Sequence, residues 1–242
     1  MSQYTNNLIS VVTVTYNNLN GLVRTLESLS ALSCQPKEIL VIDGGSTDGS
    51  LGVLDMYLEK IEALRYISGP DNGIYDAMNK GRGLINSKLI HYLNAGDTVY
   101  GEPYIKVERP AILPVDVVSE NDNRHWHDFI KMQGYGYCHQ GIIFPSTHPE
   151  FCLEYIICAD FDVIVRTFPN GLRTVQKQEG GGVRYNLGGI SSKRIDLLDK
   201  ELVKIALCSM NYFSGLCMIA ELKLRKLIPR PLRRLLAFYL LK

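Results

Sequence analysis

The first hundred residues alternate between short apolar runs and stretches that carry a helical apolar stripe. The apolar runs at residues 8–16, 38–43, 64–67 and 88–93 each stop at Asn, Gly or Ser, as buried strands do. Between them, apolar residues fall on one helical face, and Asn20 is expected to cap the first helix. This alternation predicts a Rossmann-like α/β fold, in which helices flank a mostly parallel sheet and ligands bind at the carboxyl ends of the strands.

The pattern becomes less regular after residue 98. The predicted elements there are short strands at 115–118 and 141–144 and helices at 159–168 and from 199 onward. Glycine clusters at 180–182 and 188–189 predict mobile loops. We therefore divide the chain into two halves of one domain, residues 1–97 and 98–198, and a helical tail at 199–242.

The overall composition limits the classes of protein that the chain can represent. Its 242 residues, 46% of them hydrophobic and 21% charged, suffice for one sizeable domain with an appendage. A net charge of +1 argues against a basic nucleic-acid binder and an acidic disordered chain. The six cysteines contain no C-x-x-C pair, and residues 1–7 lack a secretory signal pattern. We therefore expect a cytoplasmic protein.

Charge is distributed unevenly along the chain. Residues 222–242 carry seven Lys or Arg and no acid, so the remainder has a net charge of −6. Basic side chains alternate there with Leu, Ile, Phe and Tyr, which is typical of a helix lying on an anionic membrane surface. The apolar run at 205–220 is too short to span a bilayer, which takes about 20 residues. The alternative is a helical pair that packs on the body or on a second copy, as in a homodimer.

Candidate chemistry begins at the end of the second predicted strand. Asp43 is followed by Gly-Gly-Ser-Thr-Asp-Gly-Ser. A carboxylate there can accept a hydrogen bond from a nucleobase imide or a ribose hydroxyl, and the glycines allow a ligand to approach the backbone. The alternative is a plain turn with Thr47 or Asp48 as helix cap. No G-x-G-x-x-G follows the first strand, which disfavours a nicotinamide cofactor.

Asp97 follows the fourth predicted strand. A turn residue is the simpler explanation for a single acid at this position. Its position matters, however, because strands one, two and four would bring Tyr16, Asp43 and Asp97 to one crevice. A divalent cation held by one carboxylate and by diphosphate oxygens fits such an arrangement.

A third group of candidates lies near residues 138–162. Asp160 and Asp162 begin a predicted helix, so either could be a helix-terminal acid favoured by the dipole. The functional alternative makes one of them a general base that faces the crevice. His139 is a candidate contact for an acceptor or a phosphate, although a His before an apolar strand is often structural.

Several stretches together resemble glycosyltransferase family 2. They are Val12 to Asn17 (VTVTYN), Val41 to Ser50 (VIDGGSTDGS), Asp71 to Gly81 (DNGIYDAMNKG) and Leu93 to Asp97 (LNAGD). Cys138-His139-Gln140, Ala159 to Asp162 (ADFD) and Leu187 to Ser191 (LGGIS) extend the resemblance to about residue 192. The family comprises inverting enzymes with a GT-A fold, and the chain looks most like the bacterial branch that builds colanic acid, O-antigen and capsule.

The resemblance implies roles for individual residues. It makes Asp160 the general base and Asp97 a ligand of Mn²⁺ or Mg²⁺. Contacts to a nucleotide-sugar donor fall on Thr13, Val14, Tyr16, Asp43, Gly44, Asn72, Gly73, Asp76, Asn79, Lys80, Asn94, Ala95 and Gly96. His139, Gln140 and Asp162 are candidate contacts to an acceptor or a phosphate. The family's D-x-D is reduced here to Asn-Ala-Gly-Asp at 94–97, and its E-D is Ala159-Asp160. The motif at 94–97 thus keeps one carboxylate for a metal, and the general base is retained.

The resulting hypothesis is an inverting transfer of a sugar from a nucleotide donor to a polyprenyl-diphosphate-linked saccharide. The enzyme would be peripheral on the inner membrane and would use residues 222–242 to bind its surface. We expect residues 1–97 to bind the donor and 98–198 the acceptor. Two alternatives stay open. A sugar-nucleotide nucleotidylyltransferase is expected to have a basic, glycine-rich loop after the first strand, and the chain has Asn-Asn-Leu-Asn there. A non-catalytic nucleotide-binding scaffold of an assembly complex is the other.

Overall fold

The computed structural model describes residues 4–118, 138–186 and 195–227. Its strands are β1 (Tyr4–Thr15), β2 (Cys34–Asp43), β3 (Leu64–Ser68), β4 (Leu89–Tyr92), β5 (Thr98–Gly101), β6 (Ala111–Ile112), β7 (Val115–Val118), β8 (Ile142–Pro145), β9 (Gln176–Lys177) and β10 (Gly181–Asn186). Its helices are α1 (Leu19–Ser30), α2 (Ser50–Leu58), α3 (Ile74–Leu84), α4 (Ala159–Thr167), α5 (Ile195–Cys208) and α6 (Tyr212–Leu227), with 3-10 turns at His139–Gly141 and Leu172–Thr174.

The central sheet has the strand order β3-β2-β1-β4-β8-β6-β9. Its first four strands run parallel, and β8 joins β4 in the antiparallel sense. A small second sheet has the order β5-β10-β7. The prediction of a mostly parallel sheet flanked by helices is therefore confirmed, and the ends of β2, β1 and β4 lie side by side.

Both faces of the central sheet are covered, as expected for parallel strands. Alternate residues of β1 point to opposite faces: Ile9 and Val11 pack in one apolar cluster, which includes residues of α1 and α2. Val12 and Val14 pack in the other cluster, which includes residues of α3, α4, α5 and α6. The sheet is thus held rigidly from both sides, and its strand ends provide a fixed platform.

The first helix begins two residues earlier than predicted. Asn18, and not Asn20, is its cap: Oδ1 of Asn18 accepts a hydrogen bond from the Gly21 backbone N–H at 3.2 Å. The Asn18 side chain also donates to the Ala95 carbonyl at 2.9 Å. This cap therefore joins the start of α1 to the loop after β4.

The glycine cluster at 180–182 was predicted to be a mobile loop, and that prediction is wrong. Gly181 and Gly182 pair with Gly101 and Tyr100 in antiparallel strands. A Cβ on Gly181 would lie 2.3 Å from the Tyr100 carbonyl oxygen, and one on Gly182 would lie 2.5 Å from the Pro114 carbonyl oxygen. Glycine is needed here because neighbouring backbone approaches closely, which is a role it takes in strands as well as in loops. The second cluster, 188–189, lies outside the described residues.

The two C-terminal helices pack on the body of the protein. Ile205 and Met218 are buried in the same cluster as β1 and α4. For residues 195–227, the alternative of helices packed on the body is therefore the one observed. Residues 228–242, the larger part of the predicted membrane-binding segment, lie outside the described residues. Within the described part of the chain, no helix is long and apolar enough to cross a membrane.

Candidate active site

The ends of three adjacent strands form one edge of the central sheet. Thr15 at the end of β1 pairs with Asp43 at the end of β2. On the other side of β1, the Ala95 N–H donates to the Val14 carbonyl at 3.1 Å. The loops after β2 and β4 therefore flank β1, as the topology predicts.

Asp43 is fully buried and anchors the loop that follows β2. Its Oδ2 accepts hydrogen bonds from the backbone N–H groups of Gly45 and Ser46, both at 3.0 Å, and from the Ser68 hydroxyl at 2.6 Å. Its Oδ1 is buried without a hydrogen-bond partner among the described residues. A buried carboxylate oxygen normally has a partner, so Oδ1 is a natural acceptor for a ligand N–H or O–H group.

Gly44 lies where two side chains meet. A Cβ at this position would lie 2.7 Å from Oδ2 of Asp71 and 3.2 Å from the Tyr16 ring. The Tyr16 side chain is 65% exposed, so its ring is free to stack against a planar ligand. Gly44 thus provides room between an aromatic ring and a carboxylate beside the buried Asp43.

Asn17 links two of these loops and was missed by the sequence analysis. It has a positive φ of 46°, its backbone N–H donates to the Ser46 hydroxyl at 2.8 Å, and its Oδ1 accepts from the Thr47 N–H at 2.8 Å. A strand that ends in Asn-Asn is the signal that could have revealed this residue, because Asn tolerates the left-handed conformation and its side chain bonds backbone.

Asp97 is held in the loop after β4 with little exposure to solvent. Thr25 fixes this loop, since its Oγ1 donates to the Asp97 carbonyl at 2.7 Å and accepts from the Gly96 N–H at 3.0 Å. Oδ1 of Asp97 accepts from the Asn186 N–H at 2.8 Å. Burial raises the pKa of Asp97 from 3.8 to about 6, although this hydrogen bond, another from Gln140 and nearby positive charges oppose the shift.

The turn at residues 138–141 connects Asp97 with Asp160. Gln140 is buried, its side chain contacts Asp97, and its Oε1 accepts from the Asn94 N–H at 3.0 Å. Nδ1 of the neighbouring His139 lies 2.8 Å from Oδ2 of Asp160. Burial, together with the two nearby carboxylates, raises the pKa of the Cys138 thiol to about 12. Asp97 and Asp160 therefore lie on two sides of one short turn.

Asp160 lies in the first turn of α4 and is partly exposed, with 27% of its side chain accessible. Its Oδ1 accepts from the Phe161 N–H at 2.8 Å and lies 3.4 Å from the Tyr75 hydroxyl. The His139 contact fixes Oδ2. A carboxylate that is held in one orientation and is partly open to solvent can take up a proton from a group bound beside it.

The loop before α3 is shaped by its own acidic residues. The N–H groups of Asn72 and Gly73 donate to Asp76 and Asp71, both at 2.9 Å. Nζ of the exposed Lys80 lies 3.1 Å from the Asp76 carboxylate. The predicted donor contacts Asn72 and Gly73 therefore lie in a preorganised loop, which Asp76 in the first turn of α3 helps to hold, and Lys80 of α3 is paired with Asp76.

Two predicted donor contacts are engaged inside the protein. Both polar atoms of the Asn79 amide bond the backbone of Phe151, at 2.8 and 2.9 Å, so Asn79 ties α3 to that loop. The Val14 side chain is part of the core, and its carbonyl accepts from Ala95. Thr13 is fully buried, and its Oγ1 has no partner among the described residues. Of these three, Thr13 retains an unused polar atom.

Asp162 was a candidate contact for an acceptor or a phosphate, and the structure corrects this. Only 2% of the residue is exposed, and its carboxylate accepts from Nε of Arg166 at 2.8 Å and from the Ser209 hydroxyl at 2.6 Å. Asp162 therefore connects α4 with the end of α5. The spacing of two acids in one helix turn could not reveal which of them faces inward.

Four predicted site residues retain buried polar atoms without partners among the described residues: Oγ1 of Thr13, Oδ1 of Asp43, Oδ1 of Asn94 and Nε2 of His139. Because buried polar groups are usually paired, these four atoms are candidate contacts for a bound ligand.

The fit of a divalent cation can be judged from the donor set. No group of three His, Cys, Asp or Glu side chains that could hold a metal occurs in the described ranges. Asp97 and the unpaired Oδ1 of Asn94 supply oxygen atoms on one loop. Because Mg²⁺ is usually held by one or two carboxylates, water and substrate phosphates, this loop fits a cation that binds together with a diphosphate.

The fold is that of the GT-A glycosyltransferases. It is similar to Staphylococcus aureus TarS (residues 1–349) in complex with UDP-GlcNAc, with a TM-score of 0.68 and 15% identity over 89% of this chain and 71% of that one. It is also similar to the mannosyltransferase PcManGT of Pyrobaculum calidifontis in complex with GDP-Man and Mn²⁺, with a TM-score of 0.55 and 14% identity over 82% and 63% of the two chains. The chain spans 39% of a longer TarS chain.

Residues 10–109 match the family model for glycosyl transferase family 2. The chain is 27% identical over 215 residues to the PGL/p-HBAD biosynthesis glycosyltransferase of Mycobacterium bovis, which covers 81% of this chain and 83% of that one. It is 35% identical over 115 residues to an uncharacterized glycosyltransferase of Mycobacterium tuberculosis, over 46% and 42% of the two chains. The enzyme is thus a glycosyltransferase, and its residues 10–109 are similar to glycosyl transferase family 2.

Proposed function

We propose that the enzyme transfers a sugar, with inversion, from a nucleoside-diphosphate donor to an acceptor hydroxyl, and that Asp160 is the general base. The observation that carries this proposal is that the His139–Gln140 turn contacts both Asp160 and the loop of Asp97, at the sheet edge where β2 ends in Asp43. A donor site and a base at one sheet edge are the two parts that such a transfer needs.

The donor nucleoside would lie over the ends of β1 and β2. The unpaired Oδ1 of Asp43 would accept a hydrogen bond from the nucleobase, and the exposed Tyr16 ring would stack on that nucleobase. Gly44 would keep the approach open. The diphosphate would then extend toward the loop at 94–97, where Asn94 and Asp97 supply oxygens. Mn²⁺ or Mg²⁺, when bound there with the donor, would neutralise charge on the leaving diphosphate.

The chemistry at Asp160 follows from its position. The acceptor oxygen would attack the anomeric carbon from the face opposite the leaving group while its proton passes to the Asp160 carboxylate. The bond from the anomeric carbon to the diphosphate oxygen breaks, and a nucleoside diphosphate leaves. His139 would keep Oδ2 of Asp160 oriented, and Gln140 would keep the turn against Asp97.

For the acceptor, we propose a saccharide linked to polyprenyl diphosphate, used in bacterial surface polysaccharide synthesis of the O-antigen or capsule type. The seven basic residues and no acid at 222–242 support binding to an anionic inner membrane surface, where each basic residue contributes about 1 kcal/mol. Pelleting with anionic vesicles tests this: deletion of 228–242, which leaves α6 in place, should strongly reduce it, and equal pelleting would contradict membrane binding.

The proposal is tested with UDP-, GDP- and dTDP-sugars, each with and without Mn²⁺. One nucleotide class should raise the melting temperature, since a ligand at 100 times its Kd stabilises the native state by about 2.7 kcal/mol. The same donor should release nucleoside diphosphate when acceptor is supplied, or slowly by hydrolysis. Binding without any turnover would instead indicate a non-catalytic scaffold. The sequence after β1 lacks the basic, glycine-rich loop that is expected of a nucleotidylyltransferase.

A further inference from the structure

A buried carboxylate from α5 holds the backbone that precedes the helix of Asp160. Glu201 is 5% exposed. Its Oε1 accepts from the Ile156 N–H at 2.8 Å, and its Oε2 accepts from the N–H groups of Ile157 at 3.0 Å and Cys158 at 2.8 Å. Three successive backbone N–H groups thus donate to one carboxylate.

The position of this arrangement in the chain is informative. Cys158 is the N-cap residue of α4, and Asp160 lies two residues further on, in the first turn. The direction in which a helix leaves its first turn depends on the backbone at its cap. Glu201 therefore fixes the point from which the Asp160 side chain projects.

The same turn is held from the opposite side by α3. The Tyr75 hydroxyl donates to the Ile157 carbonyl at 2.5 Å and lies 3.4 Å from Oδ1 of Asp160. The Tyr75 ring stacks on Phe151 with centroids 5.7 Å apart. Glu201 thus binds the N–H groups of the turn, while Tyr75 binds a carbonyl of the same turn.

We propose that Glu201 is a positioning residue for the general base, through which the docking of α5 sets the orientation of Asp160. Glu201 contacts backbone, and it acts on the reaction through the turn at 156–158. The inference rests on the proposed role of Asp160. It assigns to the C-terminal helical pair a part in catalysis that its sequence pattern does not show.

The variant E201Q separates this role from general folding. E201A would remove the acceptor of three N–H groups, two of them in buried hydrogen bonds, which is costly for the fold. Gln has nearly the same shape, and its one carbonyl oxygen can still accept from one side of the turn. Its NH₂ group would then face an N–H donor, so part of the turn is released. E154Q is the matched control, because Glu154 lies in the same loop, is 73% exposed and pairs with Lys204 of α5 at 2.7 Å.

The first readout is amide hydrogen exchange in the full-length protein. Exchange of at least one of the N–H groups at residues 156–158 should be at least tenfold faster in E201Q than in the wild type, and exchange at all three should be unchanged in E154Q. The second readout is nucleoside diphosphate release from the donor identified above. In E201Q, kcat should fall at least tenfold while KM for the donor stays within twofold, because the donor side is untouched.

A double-mutant cycle with D160N completes the test. If Glu201 acts through Asp160, E201Q should cause no further loss of kcat in the D160N background. Losses that multiply, or a wild-type kcat in E201Q, would overturn the positioning role. Unchanged exchange at 156–158 in E201Q would overturn it as well. Full activity of D160N would overturn the proposed base itself, whatever E201Q shows, so the two failures are distinguishable.

Discussion

The two sides of the proposed site are built differently. On the proposed donor side, Asp43 and the loop at 94–97 lie at the ends of β2 and β4, the two parallel strands that flank β1. On the base side, Asp160 is placed by His139, by Tyr75 and by the turn that Glu201 holds, which come from three separate parts of the chain. The donor side is thus fixed by sheet topology, and the base side by long-range side-chain contacts. We expect substitutions on the donor side to affect binding and those on the base side to affect turnover.

The largest effect is expected for Asp160→Asn. General-base assistance is typically worth about 10²–10⁴-fold, so kcat should fall by that factor. The measurement is steady-state release of nucleoside diphosphate at saturating donor and acceptor. Asp162→Asn is no suitable control, because that carboxylate is buried in the fold; Glu154→Gln is the exposed alternative. More than a tenth of wild-type activity in Asp160→Asn would remove the base role.

Asp97 should make stability depend on pH. In the folded protein the Asp97 carboxyl keeps its proton up to about pH 6, whereas in the unfolded chain it loses the proton near pH 3.8. Between these two pH values the folded state therefore binds more protons than the unfolded state. Its contribution to stability therefore falls as pH rises through this window, by about 3 kcal/mol in total. Urea unfolding should show that the free energy of unfolding of Asp97→Asn increases relative to that of the wild type as the pH rises from 4 to 7. A pH-independent difference would contradict the shift.

Asp43→Asn tests the unpaired oxygen on the donor side. The Asn carbonyl can take the place of Oδ2 and keep its three hydrogen bonds, while NH₂ replaces the unpaired Oδ1. A ligand N–H group would then face a donor, so affinity for the nucleoside diphosphate should fall at least tenfold, or about 1.4 kcal/mol. Calorimetric titration measures this. If the affinity is unchanged and circular dichroism shows an intact fold, the nucleobase does not bind at Asp43.

His139→Ala should reduce kcat by about tenfold, less than loss of the base itself, because Asp160 stays present but Oδ2 loses its partner. His139→Gln, which can restore a donor near Oδ2, should recover part of the rate. The two variants are compared by kcat at saturating substrate. Equal loss in both would indicate that His139 has another role than orienting Asp160.

The smallest effect is expected for Gly44→Ala. Its Cβ would crowd Oδ2 of Asp71 and the Tyr16 ring, both of which can move somewhat, so we expect a loss of donor affinity of about threefold, near 0.7 kcal/mol. Gly69→Ala is the control, since a Cβ there meets no atom within 4 Å. Similar effects of both variants would mean that the space at Gly44 does not serve the ligand.

The same contrast explains what sequence reasoning could predict. Hydrophobic patterning predicted the order of β1 to β4 and α1 to α3, and topology then placed Asp43 and Asp97 at one edge. The roles of Asn79 and Asp162 could not be predicted, because a polar residue in a helix carries no mark of whether it faces a ligand or a neighbouring loop. Glu201 lies 41 residues beyond Asp160 in α5, whose sequence has no unusual feature. Only its tertiary contact with the turn at 156–158 shows that Glu201 can influence Asp160.

The most direct test of this division of labour is calorimetric titration of the donor's nucleoside diphosphate into wild type, Asp43→Asn and Asp160→Asn under one set of conditions. We predict that Asp160→Asn binds within twofold of wild type and that Asp43→Asn binds at least tenfold more weakly. Weakened binding by Asp160→Asn together with normal binding by Asp43→Asn would contradict the assignment of the two sides.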